Sequence, residues 1–314
     1  MKTYRIRLRP LGAWSTPWSA DSLFGSLAWQ LVRREGDVAL HRFLTEMGAD
    51  SPPFVLSDAF PEGWLPCPLS AEIQSMPGQT SRPKLPILIR EPQFRAILKS
   101  PAPILADKPS HEPLAARRNL HVSVDRRTGT ATGEGSSTLF EIREWYFNEV
   151  DGKRTDCLMI FVRTATWLER LLSLINSLGS TGFGKKRSWG HGAFELDGEP
   201  ESCDWMDENE NADGFVTLSH FVPAAADPTD GCWNLVTKYP KFSPGAPSDT
   251  PFKGRLVMIR PGGAFHISEP MRPFYGRILR QVSLQGAVHY GRAFPVPMRW
   301  PESEPLSSDP PTGS

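Results

Sequence analysis

The sequence predicts an α+β protein built from two ferredoxin-like domains, the first with an inserted β-hairpin. Residues 3–9 alternate between polar and apolar side chains as a strand does, and residues 168–178 repeat apolar side chains at helical spacing. Strand, helix, strands, hairpin, strand, helix and strand then follow one another over residues 1–196, which contains the βαββαβ order. We predict a first domain at 1–200 with its hairpin at about 110–147, an acidic linker at 201–213, a degenerate second domain at 214–300 and a disordered tail at 301–314.

Composition narrows the class of protein but not its partner. The 314 residues are 39% hydrophobic, which is enough for a sizeable core, and 35 Lys plus Arg balance 35 Asp plus Glu. Net charge therefore says nothing about a polyanionic partner. The four cysteines lack zinc-ligand spacing, so we expect no metal and no cofactor. We find no apolar run long enough to span a membrane and no secretory leader, and we expect a cytoplasmic protein.

The first strand has one basic face. Tyr4, Ile6 and Leu8 share one side, and arginines at positions 5, 7 and 9 share the other. A solvent-facing polar face is one reading of this pattern. Three arginines without an acid fit RNA better, and we predict an RNA-facing surface.

The first helix begins near Ser19 and ends at Gly36, and a second helix over 37–47 ends at Gly48. Gly25 inside the first helix costs about 1 kcal/mol relative to Ala, which suggests the close approach of another backbone or a ligand. Asp21 is interpreted as a helix-start carboxylate rather than a catalyst.

A basic hairpin follows a proline-rich stretch. Between Arg82 and Arg127 there are ten Lys or Arg and four Asp or Glu. Residues 121–125 alternate like a strand, 127–129 form a turn and 139–147 return as a strand. Asp125 is expected to cap the turn or pair with an arginine. Because an isolated two-stranded hairpin is marginal in water, this one is expected to dock on a partner.

The most distinctive stretch is the glycine loop, residues 179–192. It holds five glycines, the consecutive cations Lys185, Lys186 and Arg187, and no acid. Bare amides with cations favour a phosphate backbone. A nucleotide-binding P-loop is disfavoured because Lys186 replaces the hydroxyl residue that binds magnesium and because the order is helix, loop, strand. A flexible surface connector remains an alternative.

The elements on either side of the loop are also predicted. Thr166 and Glu169 would form a capping box at the start of the preceding helix, and Gly179 would end that helix. A short strand at 192–196 follows. Residues 195–213 then carry nine acids and no cation, which is typical of a solvated linker.

Three motifs, in this order, resemble the RAMP superfamily of CRISPR effector subunits. They are the helix opening Ser19 to Gly25, the hairpin pattern His121-x-x-x-Asp125-Arg126-x-Thr128-Gly129, and the glycine loop. The helix opening and residues 291–297 are most similar to the fourth-subunit family of type III-A Csm complexes. The third-subunit family of type III-B Cmr complexes is close.

The resemblance implies two RRM-related domains and a thumb-like hairpin that bends a guide RNA. It implies that the chain holds the 5′ repeat-derived tag of the CRISPR RNA. It also implies a large polymerase-like subunit and a backbone RAMP subunit as partners, with target RNA contacted indirectly. Residue chemistry agrees, since Phe183 and Trp189 could stack on bases, although Trp189 could equally anchor the loop in the core.

The candidate RNA-binding residues combine the motifs and the cations near them. They are Ser19, Ser22, Gly25, Arg118, His121, Asp125, Arg126, Arg127, Thr128, Gly129, Gly182, Phe183, Gly184, Lys185, Lys186, Arg187, Trp189, His191, Arg292 and Phe294.

Catalysis is the competing hypothesis. Some members of the superfamily cleave RNA with a histidine near a glycine loop, and His121 and His191 are the candidates here. Neither has an evident Lys or Tyr partner in the sequence, and no Gly-Gly-Asp-Asp polymerase signature occurs. A non-catalytic RNA-binding scaffold is therefore favoured over a metal-independent ribonuclease that processes guide RNA. A protein-only adaptor is the third possibility.

Overall fold

A computed structural model describes residues 1–71, 73–74, 85–100, 104–105, 112–131, 139–208, 211–242, 253–280, 282 and 286–301. The α-helices are α1 (Ala20–Met47), α2 (Glu91–Lys99) and α3 (Leu168–Thr181), and short 3-10 helices lie at Arg187–Trp189 and Asp204–Met206. In the described part of the chain, no helix is both long enough and apolar enough to cross a bilayer.

The strands are mostly short. In chain order they are β1 (Lys2–Pro10), β2 (Phe54–Leu56), β3 (Phe60–Pro61), β4 (Trp64–Pro66), β5 (Ile73–Gln74), β6 (Leu88–Arg90), β7 (Ile104–Leu105), β8 (Leu114–Val122), β9 (Leu139–Phe147), β10 (Glu149–Val150), β11 (Lys153–Arg154), β12 (Leu158–Thr164), β13 (Phe194–Leu196), β14 (Glu201–Ser202), β15 (Gly214–Thr217), β16 (Gly231–Cys232), β17 (Leu235–Lys238), β18 (Leu256–Ile259), β19 (Ala264–His266), β20 (Tyr275–Leu279), β21 (His289–Ala293) and β22 (Pro295–Met298).

The first sheet organises the N-terminal half. Its strands lie in the order β13-β1-β12-β2, and each neighbouring pair is antiparallel. The elements β1, α1, β2, β12, α3 and β13 follow the βαββαβ order. One face of the sheet packs against α1 and α3 through Ile6, Leu8 and Ile160. That helical layer leaves the loop after α3 at the edge of the sheet, beside β1.

The helix boundaries correct several predictions. Gly36 has φ of 81°, so it breaks α1 at the predicted point, and Gly48 follows the last turn as predicted. The Thr166–Glu169 capping box is wrong, because the amide of Trp167 donates to Thr164 Oγ1 at 3.0 Å and the helix starts after it.

Gly179 does not end α3, which continues to Thr181 before Gly182 turns away with φ of 77°. A Cβ at Gly179 would lie 2.4 Å from the carbonyl oxygen of Phe194. Gly179 is therefore needed for close helix–strand packing. Gly25 shows the reverse, since a Cβ there would meet no atom within 4 Å. Gly25 was predicted to allow the close approach of another backbone or a ligand, and no backbone of the described residues approaches it.

The basic face of β1 is neutralised within the protein, so its prediction as an RNA-facing surface is wrong. Arg5 Nη1 lies 3.2 Å from Glu91 Oε2, and Arg7 Nη1 lies 2.8 Å from Glu201 Oε1. Arg9 Nη2 lies 2.6 Å from Asp197 Oδ1. The sequence pattern hid this because none of these acids lies in β1.

The start of the predicted acidic linker is built into the first sheet. Strand β14 pairs with Tyr4 and Arg5 of β1, and the amide of Cys203 donates to the carbonyl of Thr3 at 2.9 Å. Residues 195–207 therefore supply ion-pair acids rather than a solvated linker. Residues 209 and 210 lie outside the described part of the chain, as does the predicted tail from 302 onward.

The hairpin of β8 and β9 pairs from Leu114 opposite Phe147 to Val122 opposite Leu139. Its base docks on the segment after β1, because the amide of Trp145 donates to the carbonyl of Trp14 at 2.8 Å. Asp125 caps the turn as predicted, with its Oδ1 accepting from the amide of Arg127 at 2.8 Å. Residues 132–138, which connect this turn to β9, lie outside the described residues.

The C-terminal half centres on an antiparallel sheet in the order β16-β19-β15-β22, with the ribbons β17–β18 and β20–β21 beside it. No helix occurs among the described residues between 214 and 300. The predicted second domain therefore has antiparallel strands but, over these residues, not the helices of a complete ferredoxin-like unit.

Arg163 joins the two halves. This β12 side chain is 4% exposed, and its Nη1 and Nη2 donate to the carbonyls of Pro273 and Pro295 at 2.9 and 3.0 Å. Its Nε donates to Asp207 Oδ1 at 2.9 Å. Burial lowers the pKa of Arg163, and Asp207 offsets part of that effect. Tyr290 adds a second tie, stacking on Phe24 at 5.1 Å while its hydroxyl accepts from the amide of Leu56.

Replacing Arg163 with Met is expected to lower the free energy of unfolding by about 3 kcal/mol, because the change leaves buried acceptors and Asp207 without their donor. Urea unfolding followed by tryptophan fluorescence measures it. The matched control is Arg170→Met, which removes the exposed Arg170–Glu35 pair and should cost no more than about 1 kcal/mol. Equal losses in the two variants would contradict the role of Arg163.

Two glycines give opposite expectations for the same substitution. Gly25→Ala should raise the free energy of unfolding by about 0.5–1 kcal/mol, because the helix interior has room and Ala is the better helix former. Gly179→Ala should lower it, because the added methyl meets the carbonyl of Phe194. Thermal unfolding of both variants tests the pair, and a loss of stability in Gly25→Ala would show that another group occupies the space next to Gly25.

Candidate nucleic-acid interface

The hairpin and the glycine loop, predicted separately as RNA-binding motifs, meet in the structure. The ring of His121 on β8 lies 5.6 Å from Phe140 on β9 and 5.5 Å from Trp189 of the loop. Lys186 Nζ lies 3.9 Å from the Trp189 ring centroid and 5.1 Å from that of Phe140. We call these four residues the loop–hairpin junction.

Glycines shape the loop mainly to fit the protein itself. Gly184 has φ of 84°, and a Cβ there would lie 2.5 Å from Thr16. Gly192 has φ of 71°, and a Cβ there would lie 2.0 Å from the carbonyl oxygen of Phe183. Gly182 packs in the same way against Arg187 and the carbonyl of His191. Close ligand approach is therefore not what these positions require.

The prediction of bare loop amides is wrong for much of the loop. The amide of Phe183 donates to the carbonyl of Gly192 at 2.8 Å, and that of Lys185 donates to Thr16 Oγ1 at 3.0 Å. The amide of Gly192 donates to the carbonyl of Ala13 at 3.1 Å. The loop is thus bound to the segment after β1 and offers side chains more than backbone.

His191 joins three segments under the junction. Its Nδ1 lies 2.7 Å from Ser15 Oγ, and its Nε2 lies 3.4 Å from Glu144 Oε1 on β9. The imidazole is 14% exposed. Because both ring nitrogens face protein partners, His191 holds the loop against the hairpin. These partners could not be read from the sequence, where they lie far from position 191.

Aromatic exposure separates the two predicted stacking residues. Trp189 is 51% exposed, so it does not anchor the loop in the core and can take a base. Phe183 is 1% exposed and its ring lies 4.8 Å from that of Trp18. Its prediction as a base-stacking residue is wrong, because the ring fills the core beneath the loop.

The predicted cations surround the junction. Lys185 is exposed, Arg187 is half-buried, and Lys186 holds a left-handed φ of 62° that directs the chain around the loop. At the hairpin turn Arg126 and Arg127 are exposed beside Thr128 and Gly129. Arg118 is also exposed, with its Nε 3.5 Å from Glu141 Oε1. The loop cations thus lie near the turn-proximal end of the paired strands, where His121 is opposite Phe140, and the two arginines follow a few residues farther along in the turn.

Three other predicted RNA-binding residues are inaccessible. Ser19 is 4% exposed, with its Oγ 3.2 Å from both Ser22 Oγ and Lys238 Nζ. Arg292 is 3% exposed, donates to the carbonyl of Ala49 and stacks on Phe274. Phe294 is fully buried under Arg163. These three residues, which lie in the motifs near the two ends of the chain, therefore contribute to packing. Ser22 is half-buried and stays near the surface.

An ionic cluster at the start of α1 was not predicted. Asp21 is fully buried, with Oδ1 2.8 Å from Lys238 Nζ and Oδ2 3.4 Å from His289 Nε2. Burial alone would raise the pKa of the Asp21 carboxyl, but Lys238 and His289 outweigh it and lower the pKa to about 2. Burial lowers the pKa of His289 to about 4, opposed by Asp21 and reinforced by Lys253 and Lys238. The reading of Asp21 as an ordinary helix-start carboxylate is thus incomplete.

Among the residues that the structure describes, no group of three or more His, Cys, Asp and Glu side chains is placed to hold a metal ion.

Comparison with known proteins gives structural likeness only. No protein-family model matches the sequence, and no curated protein matches it. A chain of the Csm1-Csm4 cassette in complex with AMPPNP superposes with a TM-score of 0.60 at 18% identity, over 96% of this chain and 100% of that one. A chain of the Csm3-Csm4 subcomplex of the type III-A CRISPR-Cas interference complex gives a TM-score of 0.56 at 12% identity, over 94% and 99%.

Csm4 is the component common to both assemblies, and the chain has a Csm4-like fold of mixed α and β structure with antiparallel sheets and few helices. The resemblance inferred from the three motifs is confirmed at the level of the fold.

We expect the free energy of unfolding to fall as pH is lowered from 6.5 to about 4. In that window the unfolded chain protonates His289 and the folded chain does not, so acid favours unfolding. Above pH 6.5 this contribution is complete. Urea midpoints across the window measure it. His289→Gln should flatten the slope, and the exposed control His41→Gln should not; a slope that survives in His289→Gln would contradict the assignment.

Proposed function

We propose that this chain is a non-catalytic RNA-binding subunit of a type III CRISPR effector complex, where it holds the 5′ repeat-derived tag of the CRISPR RNA. In this proposal its two domains are RRM-related, and the β8–β9 hairpin is a thumb that bends the guide. The chain bridges the large polymerase-like subunit to the backbone RAMP subunit, and it contacts target RNA only indirectly.

The loop–hairpin junction is the observation that supports RNA binding. Single-stranded RNA is recognised by stacking on aromatic rings and by cations along the backbone. Trp189 offers an exposed indole, and Lys185 and Arg187 lie next to it in the loop. Phe140 and His121 extend the aromatic surface onto the hairpin. A bent strand could therefore cross from the loop to the turn at Arg126 and Arg127.

The partners follow from the proteins of similar fold. Their Csm4 components form a cassette with Csm1 and a subcomplex with Csm3. Those assemblies support a large subunit and a backbone subunit as the neighbours of this chain. The shared fold extends over nearly the whole length of both chains.

The histidines favour a scaffold over a ribonuclease. A general acid or base must be free to reach the reacting hydroxyl. Both nitrogens of His191 face Ser15 and Glu144, so neither is free for a substrate. The ring of His121 is stacked on Phe140 and tilted against Trp189, and its Nε2 is buried away from solvent.

The test is RNA binding by the purified chain, measured by fluorescence anisotropy with tag-bearing single-stranded RNA. Lys185→Ala/Lys186→Ala/Arg187→Ala should weaken binding at least about tenfold at low salt and reduce the salt slope by about 2, since each phosphate contact contributes about 0.7. The matched control, Lys2→Ala/Arg33→Ala/Lys99→Ala, removes three exposed cations elsewhere and should bind like the parent.

The same samples test for cleavage. The scaffold proposal expects the labelled RNA to stay intact in the presence of EDTA. Metal-independent cleavage that His191→Ala or His121→Ala abolishes would establish the ribonuclease instead. An equal affinity in the loop triple variant and its control would remove the glycine loop from the RNA site, and the absence of any salt-sensitive affinity would favour the protein-only adaptor.

A further inference from the structure

The ribbon of β17 and β18 presents an apolar face to solvent. Leu235 lies opposite Ile259, and Thr237 lies opposite Val257, so these residues share one side of the ribbon, on which Ile259 is buried and the other three are exposed. Leu235 is 61% exposed, Val257 49% and Tyr239, one residue after β17, 62%. We call this side the outer ribbon face. Scattered exposed apolar side chains are ordinary, but these lie next to one another across two paired strands.

The ribbon is strongly basic. Residues 231–242 and 253–260 contain Lys238, Lys241, Lys253, Arg255 and Arg260 and no Asp or Glu. The chain as a whole has equal numbers of cations and acids, and on β1 each arginine is paired with acids from other segments. The ribbon residues named above include no acid that could pair with these cations.

The cations of the ribbon fall into two groups, those that contact the rest of the protein and those that are exposed to solvent. Lys238 points inward to Asp21, and Lys253 Nζ donates to the carbonyl of Val288 at 3.1 Å, so these two hold the ribbon on the protein. Arg255 precedes β18 on the side of Val257, whereas Arg260 follows the end of the strand, next to Asn234. Both are exposed, and neither forms an ion pair with any residue that the structure describes. The outward cations are thus available to a partner.

Aromatic rings flank the outer ribbon face. Trp233 stacks on Phe265 with ring centroids 5.3 Å apart and planes 9° apart, which fixes the indole. It remains 38% exposed, so its other side faces solvent. Tyr239 stands at the opposite end of β17. A rigid indole and an exposed phenol next to arginines are the features on which single-stranded nucleic acid stacks.

We infer that the outer ribbon face is a second surface for single-stranded RNA, separate from the loop–hairpin junction, with bases on Trp233 and Tyr239 and phosphates on Arg255 and Arg260. This inference rests on the proposed function, because it extends the path of the same RNA onto the C-terminal half. An acidic protein surface fits less well. Both exposed cations are arginines, and Arg combines phosphate binding with stacking.

The experiment measures anisotropy of the full chain with two labelled RNAs, one of about 10 nucleotides that fills a single site and one of about 30. Arg255→Ala/Arg260→Ala should weaken binding of the long RNA at least about fivefold and lower its salt slope by about 1.4. Arg33→Ala/Lys99→Ala is the charge-matched control and should change neither. Circular dichroism melts confirm that each variant is folded.

Cross-linking of 4-thiouridine RNA followed by peptide mass spectrometry locates the contact independently. Support requires adducts within 231–242 or 253–260 that persist when Lys185, Lys186 and Arg187 are replaced by Ala. Long-RNA affinity equal to that of the control, together with a loss in the loop variant, would overturn the ribbon surface and leave the proposed function standing. Binding of neither RNA by the parent would overturn both.

A ribbon variant that keeps its RNA affinity but no longer binds the large or the backbone subunit would also overturn the inference, since the face would then be a protein interface.

Discussion

The buried guanidinium of Arg163 holds the N-terminal and C-terminal halves of this protein together. Arg163 lies on the central strand of the first sheet, yet most of its hydrogen bonds go to backbone carbonyls of the C-terminal half and to Asp207. A buried cation is tolerated only when its donors are satisfied, so each of these segments must be in place together. The position of the C-terminal half in turn sets Lys238 against Asp21 at the start of α1.

The candidate RNA surface arises from packing between distant segments. The side chain of His191 touches both the segment after β1 and strand β9, and Trp189 stands beside the hairpin because of that contact. Glycines let the loop lie close to Thr16, and the side chains of Lys185 and Trp189 face outward. The chemistry of the surface therefore depends more on aromatic rings and cations than on backbone amides.

Local patterns predicted the elements well. The alternation in β1, the apolar stripe of α3, the Gly36 break and the turn at Asp125 depend on neighbours in sequence, and the structure has each of them. Patterns that depend on distant partners were misread. The arginines of β1 were taken for an RNA face because Glu91, Asp197 and Glu201 are remote in sequence. Burial of Phe183 and Arg292 was likewise invisible without the tertiary contacts.

Tyr290 lies in the core of the N-terminal half, and this affects the order in which the chain can fold during synthesis. Its fully buried ring packs with α1, and its hydroxyl meets the amide of Leu56, 234 residues earlier. During synthesis the N-terminal sheet and helices leave the ribosome long before the residue that completes their core. Until Tyr290 is made, Phe24 lacks the ring that stacks on it, and exposed apolar surface of this kind favours aggregation. Final closure belongs to the last step of folding, after nearly the whole chain has emerged.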